Sequence, residues 1–556
     1  MDARTDSAST AFPELTPEQV KRVREYGVTE HVRQGDVLFG SGQREYDFIV
    51  LVTGAAEIVR EASDDQPEAV VAQCSRRTFL GELNLLTGQA VYLTTKVADG
   101  GEIIRLDGTN FRKLMADDWQ LSDIILRAFL ARREELRTGQ GALSVRILGS
   151  AMSRESLALR VWAARSRVAH TWVDADSPAG RRLAETLDTT PNQLPVVVTP
   201  AATLRNATPA LLGEALGLIY SPSITPVEDI ADVAVIGAGP AGLSAAVYAA
   251  SEGLRTIVFD AVGVGGQAGA SSRIENYLGF ESGISGEELT GRAMVQAQKF
   301  GARVATPCTV ESVRAIGDAF ELTLSDDVKA VARTVVIATG ARYRSLDLPR
   351  WQEYEGRGIF YAATEIEARL CAEQPVAVVG GANSAGQAAL FLARRAREVI
   401  MIIRSEGLYS DMSAYLAQRV EAEPSIQLRA ASEVTALKGQ DGLGAITITN
   451  RQSQETDTVS CSGLFCFVGA DPATSWLNSV RLDPEGYIAT DVALSPDQLG
   501  DDWASLGRKP LLFETSEPGI FAIGDVRAGS MKRVGAAVGD GASCIRSIHQ
   551  YLGLDR

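Results

Sequence analysis

The residues best suited to chemistry are Gly237, Gly239, Gly242 and Asp260, set within DVAVIGAGPAGLSAAVYAASEGLRTIVFD. In this arrangement the first glycine makes a tight turn and the second lets backbone approach a pyrophosphate. The third lets a helix lie close to a sheet, so phosphates meet free N–H groups at a helix N-terminus. Asp260 closes the unit at the spacing where a carboxylate accepts hydrogen bonds from a ribose. The flanks predict the elements that must position these groups. Val233 to Ile236 is an apolar run suited to a parallel strand buried on both faces, small residues after Gly239 suit a close-packed helix, and Thr256 to Phe259 is a second strand. The stretch reads as a dinucleotide cradle.

A second fingerprint, VAVVGGANSA over residues 376–385, repeats the strand-to-helix pattern with Gly380, Asn383, Ser384 and Ala385 at the phosphate end. Ala382 replaces its middle glycine and crowds a pyrophosphate slightly. Its second strand, Val399 to Ile403, ends in Arg404 at nearly the spacing that separates Gly237 from Asp260. An arginine there can bind a 2′-phosphate, which favours NADP over NAD. Two cradles imply two dinucleotides.

The chain has 556 residues, and at about 150 residues per domain that suggests three or four domains. With 54 Lys+Arg against 70 Asp+Glu, the net charge of −16 repels phosphate backbones and argues against nucleic-acid or anionic-membrane partners. Residues 1–13 lack an apolar signal segment and no charge-free run is long enough to span a bilayer, so a cytoplasmic, non-membrane protein is expected. Six cysteines, Cys74, Cys308, Cys371, Cys461, Cys466 and Cys544, are scattered without a C-x-x-C. Neither a disulfide framework nor a metal site is suggested, and reduced core thiols are expected.

Residues 1–140 open with Thr16-Pro17-Glu18, a helix start with Thr as N-cap, followed by short β-rich segments punctuated by glycine. The motifs GDVLF, Gly42, YDF, Gly54 and Gly81-Glu82-Leu83-Asn84-Leu85-Leu86 resemble the cyclic nucleotide-binding domain family. That resemblance implies a β-roll in which backbone N–H groups near Gly81 face a phosphate and Glu82 binds a ribose, which makes a nucleotide-like molecule one candidate ligand for this domain. The family's phosphate-binding arginine is missing, because Ala90-Val91-Tyr92 stands where Pro-Arg-Ala is expected. An amphipathic helix is predicted over 118–138. Residues 144–218 alternate strand and helix before Pro195 enters a strand, a pattern that resembles the thioredoxin and glutaredoxin fold, whose proline there is typically cis. Ser153-Arg154-Glu155-Ser156 occupies the place of its C-x-x-C, so a structural or docking role is expected. A linker, Ser221 to Pro226, leads to the first cradle.

Residues 231–556 resemble the thioredoxin reductase family. The resemblance rests on Gly265-Gly266-Gln267, Ile274-Glu275-Asn276-Tyr277, Ala338-Thr339-Gly340 and Gly519 to Asp525, besides the two cradles. It implies FAD on the first cradle and NADPH on the second. Gly266, Gln267, Asn276, Thr339, Gly340 and Gly524 would then lie near FAD, Asp525 would bind the ribityl chain, and Arg533 and Val534 would begin the helix behind the flavin. It also implies an FAD domain split into 231–344 and 471–556 around an NADPH domain of 345–470, and a homodimer. Residues 492–513 look inserted and read as a surface loop. In the family, electrons leave through a C-x-x-C after a motif similar to Gly356-Arg357-Gly358-Ile359. Counting from Gly358, those positions fall on Ala362 and Glu365.

The expectation is therefore a multidomain α/β and α+β protein: a cyclic nucleotide-binding-like β-roll, a cysteine-free thioredoxin-like domain, and a two-dinucleotide-binding-domain flavoprotein of Rossmann-like build. Its expected activity is an FAD-dependent oxidation of NADPH toward a small-molecule or protein acceptor other than a disulfide, with the chemistry on the cofactors and the N-terminal domain as regulator. Two rivals stand beside it: a disulfide reductase using an unusual cysteine such as Cys371, and a ligand- or redox-responsive binding protein with slow turnover.

Overall fold

The computed structural model describes residues 10–62, 67–82, 84–138, 143–151, 153–220, 230–271, 273–440, 442–495, 499, 503 and 506–554. The first nine residues, Leu83 of the cassette and the whole Ser221 to Pro226 linker lie outside them.

The N-terminal roll is two four-stranded antiparallel sheets. One runs Val28–Val32, Gly101–Leu106, Phe48–Leu51, Phe79–Leu80; the other runs Val37–Phe39, Thr94–Asp99, Ala55–Arg60, Ala69–Cys74. Thr16 caps the helix Pro17–Arg24 through a reciprocal box with Gln19. The predicted amphipathic helix is Trp119–Thr138, and its buried Leu121, Ile125, Ala128 and Phe129 close the roll's core against Phe48, Phe79 and Phe111.

The next sheet orders Thr171–Asp174, Arg146–Gly149, Val196–Val198 and Thr203–Leu204, with only the first pair parallel, and the Leu194–Pro195 bond is cis as expected. This small unit is wedged between the roll and the first cradle's sheet. Ala90 N–H donates to the Leu216 carbonyl (2.9 Å) and Thr306 N–H to Leu218 (3.3 Å), while the space beside Gly213 is filled by Pro307 and Trp162.

Beyond it lie two sheets that carry the cradles. The first orders Arg303–Ala305, Thr256–Phe259, Ala231–Ile236, Lys329–Ile337, Ala319–Leu324, Val310–Ile316. Lys329–Ile337 also takes a parallel partner from far along the chain, Ile520–Ala522, so the C-terminal segment completes this sheet. The second is all parallel: Ile359–Phe360, Gly463–Cys466, Pro375–Val379, Glu398–Ile402, Ile426–Arg429. Its strands are nearly continuous apolar runs because both faces are covered: one by the helices Glu365–Leu370, Asn383–Leu392 and Ala414–Ala422, the other by a three-stranded antiparallel sheet, Ser432–Gly439, Leu443–Asn450 and Thr456–Ser460, with Trp351 and Tyr354. A short antiparallel pair, Ala341–Tyr343 with Ala470–Pro472, ties the two units together.

Of the described residues in 492–513, expected to form a surface loop, Val492, Leu506 and Leu512 are exposed, whereas others are held against the body. Trp503 is buried and donates its indole N–H to the Ser516 carbonyl (2.6 Å), and the Arg508 guanidinium lies over the Trp503 ring. Arg508 also grips the fully buried Glu514 carboxylate through two bonds of 2.6 and 2.9 Å, and Leu511 and Gly519 N–H groups add two more. A buried carboxylate needs such partners, which ties Arg508 and Leu511 to Glu514. Arg508→Ala strips the paired cation from it, and we expect a loss of about 3 kcal/mol, at the lower end for broken buried pairs because Arg508 is partly exposed. Thermal unfolding followed by tryptophan fluorescence will read this as a lowered transition.

Candidate functional site

The first cradle is built by backbone packing. Gly237, at a φ of +111°, makes the turn out of the strand Ala231–Ile236, and a Cβ there would overlap the Ala338 carbonyl. A Cβ on Gly242 would overlap the Gly237 carbonyl, so only glycine lets the helix Pro240–Ser251 begin so close to the sheet. Gly239 is different. It is the N-cap, it has no side-chain capping bond, and its outward face meets nothing closer than the Gly266 Cα at 3.9 Å. The first-turn N–H groups therefore face an open space that suits a diphosphate.

Asp260, predicted to hold a ribose, first organises the loop beside it. One oxygen accepts from Ala238 N–H (2.7 Å), the other from Val262 and Gly263 N–H (2.9 and 2.8 Å). The oxygen that accepts from Ala238 keeps a second lone pair for a ligand hydroxyl, while the other is filled by its two bonds. The loop returns to the turn through Gly265 N–H on the Ala238 carbonyl (2.8 Å), and Gly266 packs against Gly239. The Gln267 amide donates to the Ala341 carbonyl. The Thr339 hydroxyl donates to the Ala473 carbonyl (3.0 Å), and Ala473 N–H returns to the Gly340 carbonyl. Asn276 is exposed; its neighbour Glu275 pairs with Arg419 of the second unit at 3.2 Å.

Gly524 brings the C-terminal segment to the same place, since a Cβ there would stand 2.8 Å from the Ala241 Cβ in the first turn of the cradle helix. Gly524 N–H donates to Asp540, which Arg527 neutralises at 3.2 Å. Asp525 beside it is half-buried, and its carboxylate accepts no hydrogen bond among the described residues. Burial raises its pKa, Asp540 adds to the rise and Lys532 opposes it. A half-buried acceptor of this kind suits the hydroxyls of a polyol chain. Arg533 is the N-cap of the helix Val534–Tyr551 without a side-chain cap, so a second helix N-terminus is also left open here. These groups fit FAD: open N–H groups for the diphosphate, and carboxylates for ribose and ribityl.

The second cradle repeats the design with looser packing. A Cβ on Gly380 would overlap the Phe467 carbonyl, and Ala382 caps the helix Asn383–Leu392 at an ordinary φ of −89°. Ser384 is exposed and Ala385 buried, while the Asn383 side chain accepts from Ser413 N–H (2.8 Å) and so shapes the facing loop. Arg404 is exposed at the end of its strand and makes no ion pair among the described residues. The sequence reading missed that facing loop, Ser405 to Ser413, which brings Ser405 and Asp411 to the edge of Gly381. No motif announces it.

Ala362 is half-buried and Glu365 exposed, and Glu365 pairs with Arg395 at 2.7 Å at the start of the short helix Glu365–Leu370. Just before them Tyr361 stacks parallel to Tyr343, with centroids 6.2 Å apart, and donates to Glu355 at 2.5 Å. All six cysteines are free and buried. Burial pushes the thiols of Cys308, Cys371 and Cys461 up to about 12 and that of Cys466 up to about 11, and it raises Cys74 and Cys544 as well.

The helix Arg154–Arg165, also unforeseen as a site element, lies across both units. Its Arg154 packs on Gly356 and its Leu157 on the second sheet's core, while Trp162 and Arg165 pack on Gly263 beside the first cradle. Ser153 caps it, accepting from Ser156 N–H at 3.2 Å.

In the roll, Gly81 adopts a φ of +130° and leads into Glu82. Both Glu82 oxygens are engaged by Arg133 of the long helix at 2.5 and 2.9 Å. That partner was missed because it lies 51 residues away with no local signal.

Comparison with known proteins places these features. Residues 231–541 match the family described as pyridine nucleotide-disulphide oxidoreductase, and residues 29–118 match the cyclic nucleotide-binding domain. The thioredoxin reductase of Streptomyces clavuligerus is 33% identical over 59% of this chain and 95% of its own length, and that of Treponema pallidum (strain Nichols) 34% over 58% and 97%. The Lactococcus lactis thioredoxin reductase in its FR conformation is 30% identical with a TM-score of 0.51, covering 58% of this chain and 99% of that one. The T. acidophilum enzyme is 29% identical with a TM-score of 0.52, covering 58% and 98%.

The cradle separates fold from binding in two substitutions. Gly239→Ala meets no protein atom, so its thermal transition should match the wild type while flavin retention on gel filtration falls. Gly242→Ala must push the helix off the sheet, and we expect a loss of about 1 to 3 kcal/mol in stability.

Proposed function

Because the chain belongs to the pyridine nucleotide-disulphide oxidoreductase family, in its thioredoxin reductase branch whose cofactors are FAD and NADPH, we propose that it oxidises NADPH toward an acceptor other than a disulfide. One observation carries the acceptor half: Ala362 and Glu365 occupy the positions of the family's exit thiols, and the six cysteines are buried and free. Disulfide exchange needs a thiolate to attack sulfur and a second thiol to resolve the product. Neither Ala362 nor Glu365 can do either. Thiols whose pKa lies near 12 stay protonated at neutral pH, which also speaks against Cys371 as a substitute.

FAD, when bound, supplies hydride acceptance from NADPH and onward release of electrons. The chain's own part is to hold and align. Gly237, whose own N–H is held by the Phe259 carbonyl, makes the turn that aims the Gly239 and Gly242 end of the helix at a diphosphate, while Asp260 and Asp525 accept from sugar hydroxyls. Gly266, Gln267, Thr339 and Gly340 fix the walls, with Asn276, Arg533 and Val534 assigned to the same site. Gly380, Asn383, Ser384 and Ala385 hold the second nucleotide and Arg404 its 2′-phosphate. A quinone, oxygen or an electron-transfer protein fits the acceptor role, and a homodimer fits the assembly.

We assign regulation to the N-terminal domain through a contiguous chain of contacts. Arg133 holds Glu82 on the roll and donates to the Arg167 carbonyl (2.9 Å), and the Arg167 side chain packs on Gly291 of the helix Gly286–Lys299, which lies against the first cradle's helix.

Anaerobic stopped-flow reduction by NADPH followed by a panel of acceptors tests this reading. NADPH should reduce the flavin faster than NADH, and Arg404→Ala should narrow that preference by about 1.5 to 3 kcal/mol, the worth of a charge-assisted contact. Equal rates for both nucleotides in the wild type remove Arg404 from the site. Thioredoxin and a chromogenic disulfide should be reduced far more slowly than a quinone, and the native protein should resist thiol alkylation at pH 8 until unfolded. Rapid thioredoxin turnover would refute the acceptor assignment and leave the cofactor assignment standing.

A further inference from the structure

Between the roll's sheets and its long helix lies a cavity of about 360 Å³, a size suited to a small molecule. Phe12, Phe39, Ile58, Val71, Val91 and Leu93 give it an apolar lining. Its charged groups are committed. Arg132, fully buried, gives its guanidinium to the carbonyls of Ala11 (2.7 Å), Gly81 (2.6 Å) and Phe79 (2.9 Å). Arg133 holds both oxygens of Glu82. Glu135, also on the wall, adds negative charge.

Neutral hydroxyls remain. Thr95 is fully buried on the wall, and its Oγ1 has no hydrogen-bond partner. The Tyr46 hydroxyl, on the same wall near Glu82, likewise makes no bond of good geometry. Leaving a buried hydroxyl unpaired is unfavourable, so Thr95 marks where a ligand's polar atom belongs.

We propose that this cavity takes an uncharged, largely apolar small molecule whose single oxygen hydrogen-bonds to Thr95 and Tyr46, in place of a cyclic nucleotide. A cyclic phosphate would be desolvated against Val91, where no cation stands, with Arg133 already paired to Glu82 and each nitrogen of Arg132 already giving a bond to a backbone carbonyl, and Glu135 would repel it. A ribose would have to compete with Arg133 for Glu82. A phenol, alcohol or ketone meets none of these costs, and it pairs hydroxyls that the fold leaves unsatisfied. The proposal is independent of the flavin reading, because the cavity lies wholly within the roll and its long helix.

Calorimetry on the full-length, flavin-loaded protein tests it with three probes: 2-naphthol, naphthalene and cyclic AMP. We expect saturable binding of 2-naphthol, binding of naphthalene about 25-fold weaker because it loses both hydrogen bonds, and no heat from cyclic AMP. Thr95→Val keeps the side chain's shape and removes the hydroxyl, so it should weaken 2-naphthol about 5-fold and leave naphthalene unchanged, as the net loss of one hydrogen bond predicts. Val71→Trp fills the space and should abolish both, with the flavin spectrum and thermal transition reporting whether the variant is folded. Saturable cyclic AMP binding tighter than that of 2-naphthol would overturn the proposal. So would the absence of saturable 2-naphthol binding, or an equal effect of Thr95→Val on both aromatic probes.

Discussion

The structure depends on backbone meeting backbone where a methyl group has no room. The helix Pro240–Ser251 reaches the sheet at Gly242, and the helix Val534–Tyr551 reaches that helix at Gly541, where a Cβ would overlap the Ala241 carbonyl. The two helices share a seam of alanine and glycine, and the Ser244 hydroxyl on the Val538 carbonyl (2.8 Å) pins it. Because dispersion falls steeply with separation, such a seam is strong only at close approach. It also brings two uncapped helix starts and two carboxylates, from segments far apart in the chain, around one open space.

The N-terminal third is joined to that module by packing as well as by sequence. The helix Arg154–Arg165 touches both nucleotide-binding units, and the roll's long helix meets the small sheet through the Arg133 to Arg167 bond. The unit whose first helix begins with Ser153 holds no cysteine, and that helix is packed against both nucleotide-binding units. Any change in the angle between the two cradles has to break contacts at Gly356 or at Gly263. The roll and the cradles are therefore parts of one packed body.

Legibility followed locality. The two cradles, the strands that enter them and the cap at Thr16 could be read because each depends on residues within a few positions, where turn geometry and capping dictate residue type. The 492–513 segment reads as a surface loop because it looks inserted, yet Trp503 is buried and Arg508 pairs with the buried Glu514. The roll's cassette is half legible: Gly81 and Glu82 announce themselves, whereas the arginine that occupies Glu82 comes from a helix with no motif of its own.

By itself the sequence determined the glycines of both cradles, the acid that ends the first and the arginine at 404 that ends the second, and the residues Val91, Ala362 and Glu365. These are matters of residue type at a fixed local spacing. Only the tertiary structure decided that Asp525 stands beside the first helix turn with no hydrogen-bond donor from the described residues, and that Arg133 satisfies Glu82. It alone decided that Thr95 faces a cavity with its hydroxyl unpaired and that one helix bridges both units. Those outcomes depend on which distant groups reach one another as the chain packs, and no local pattern encodes that.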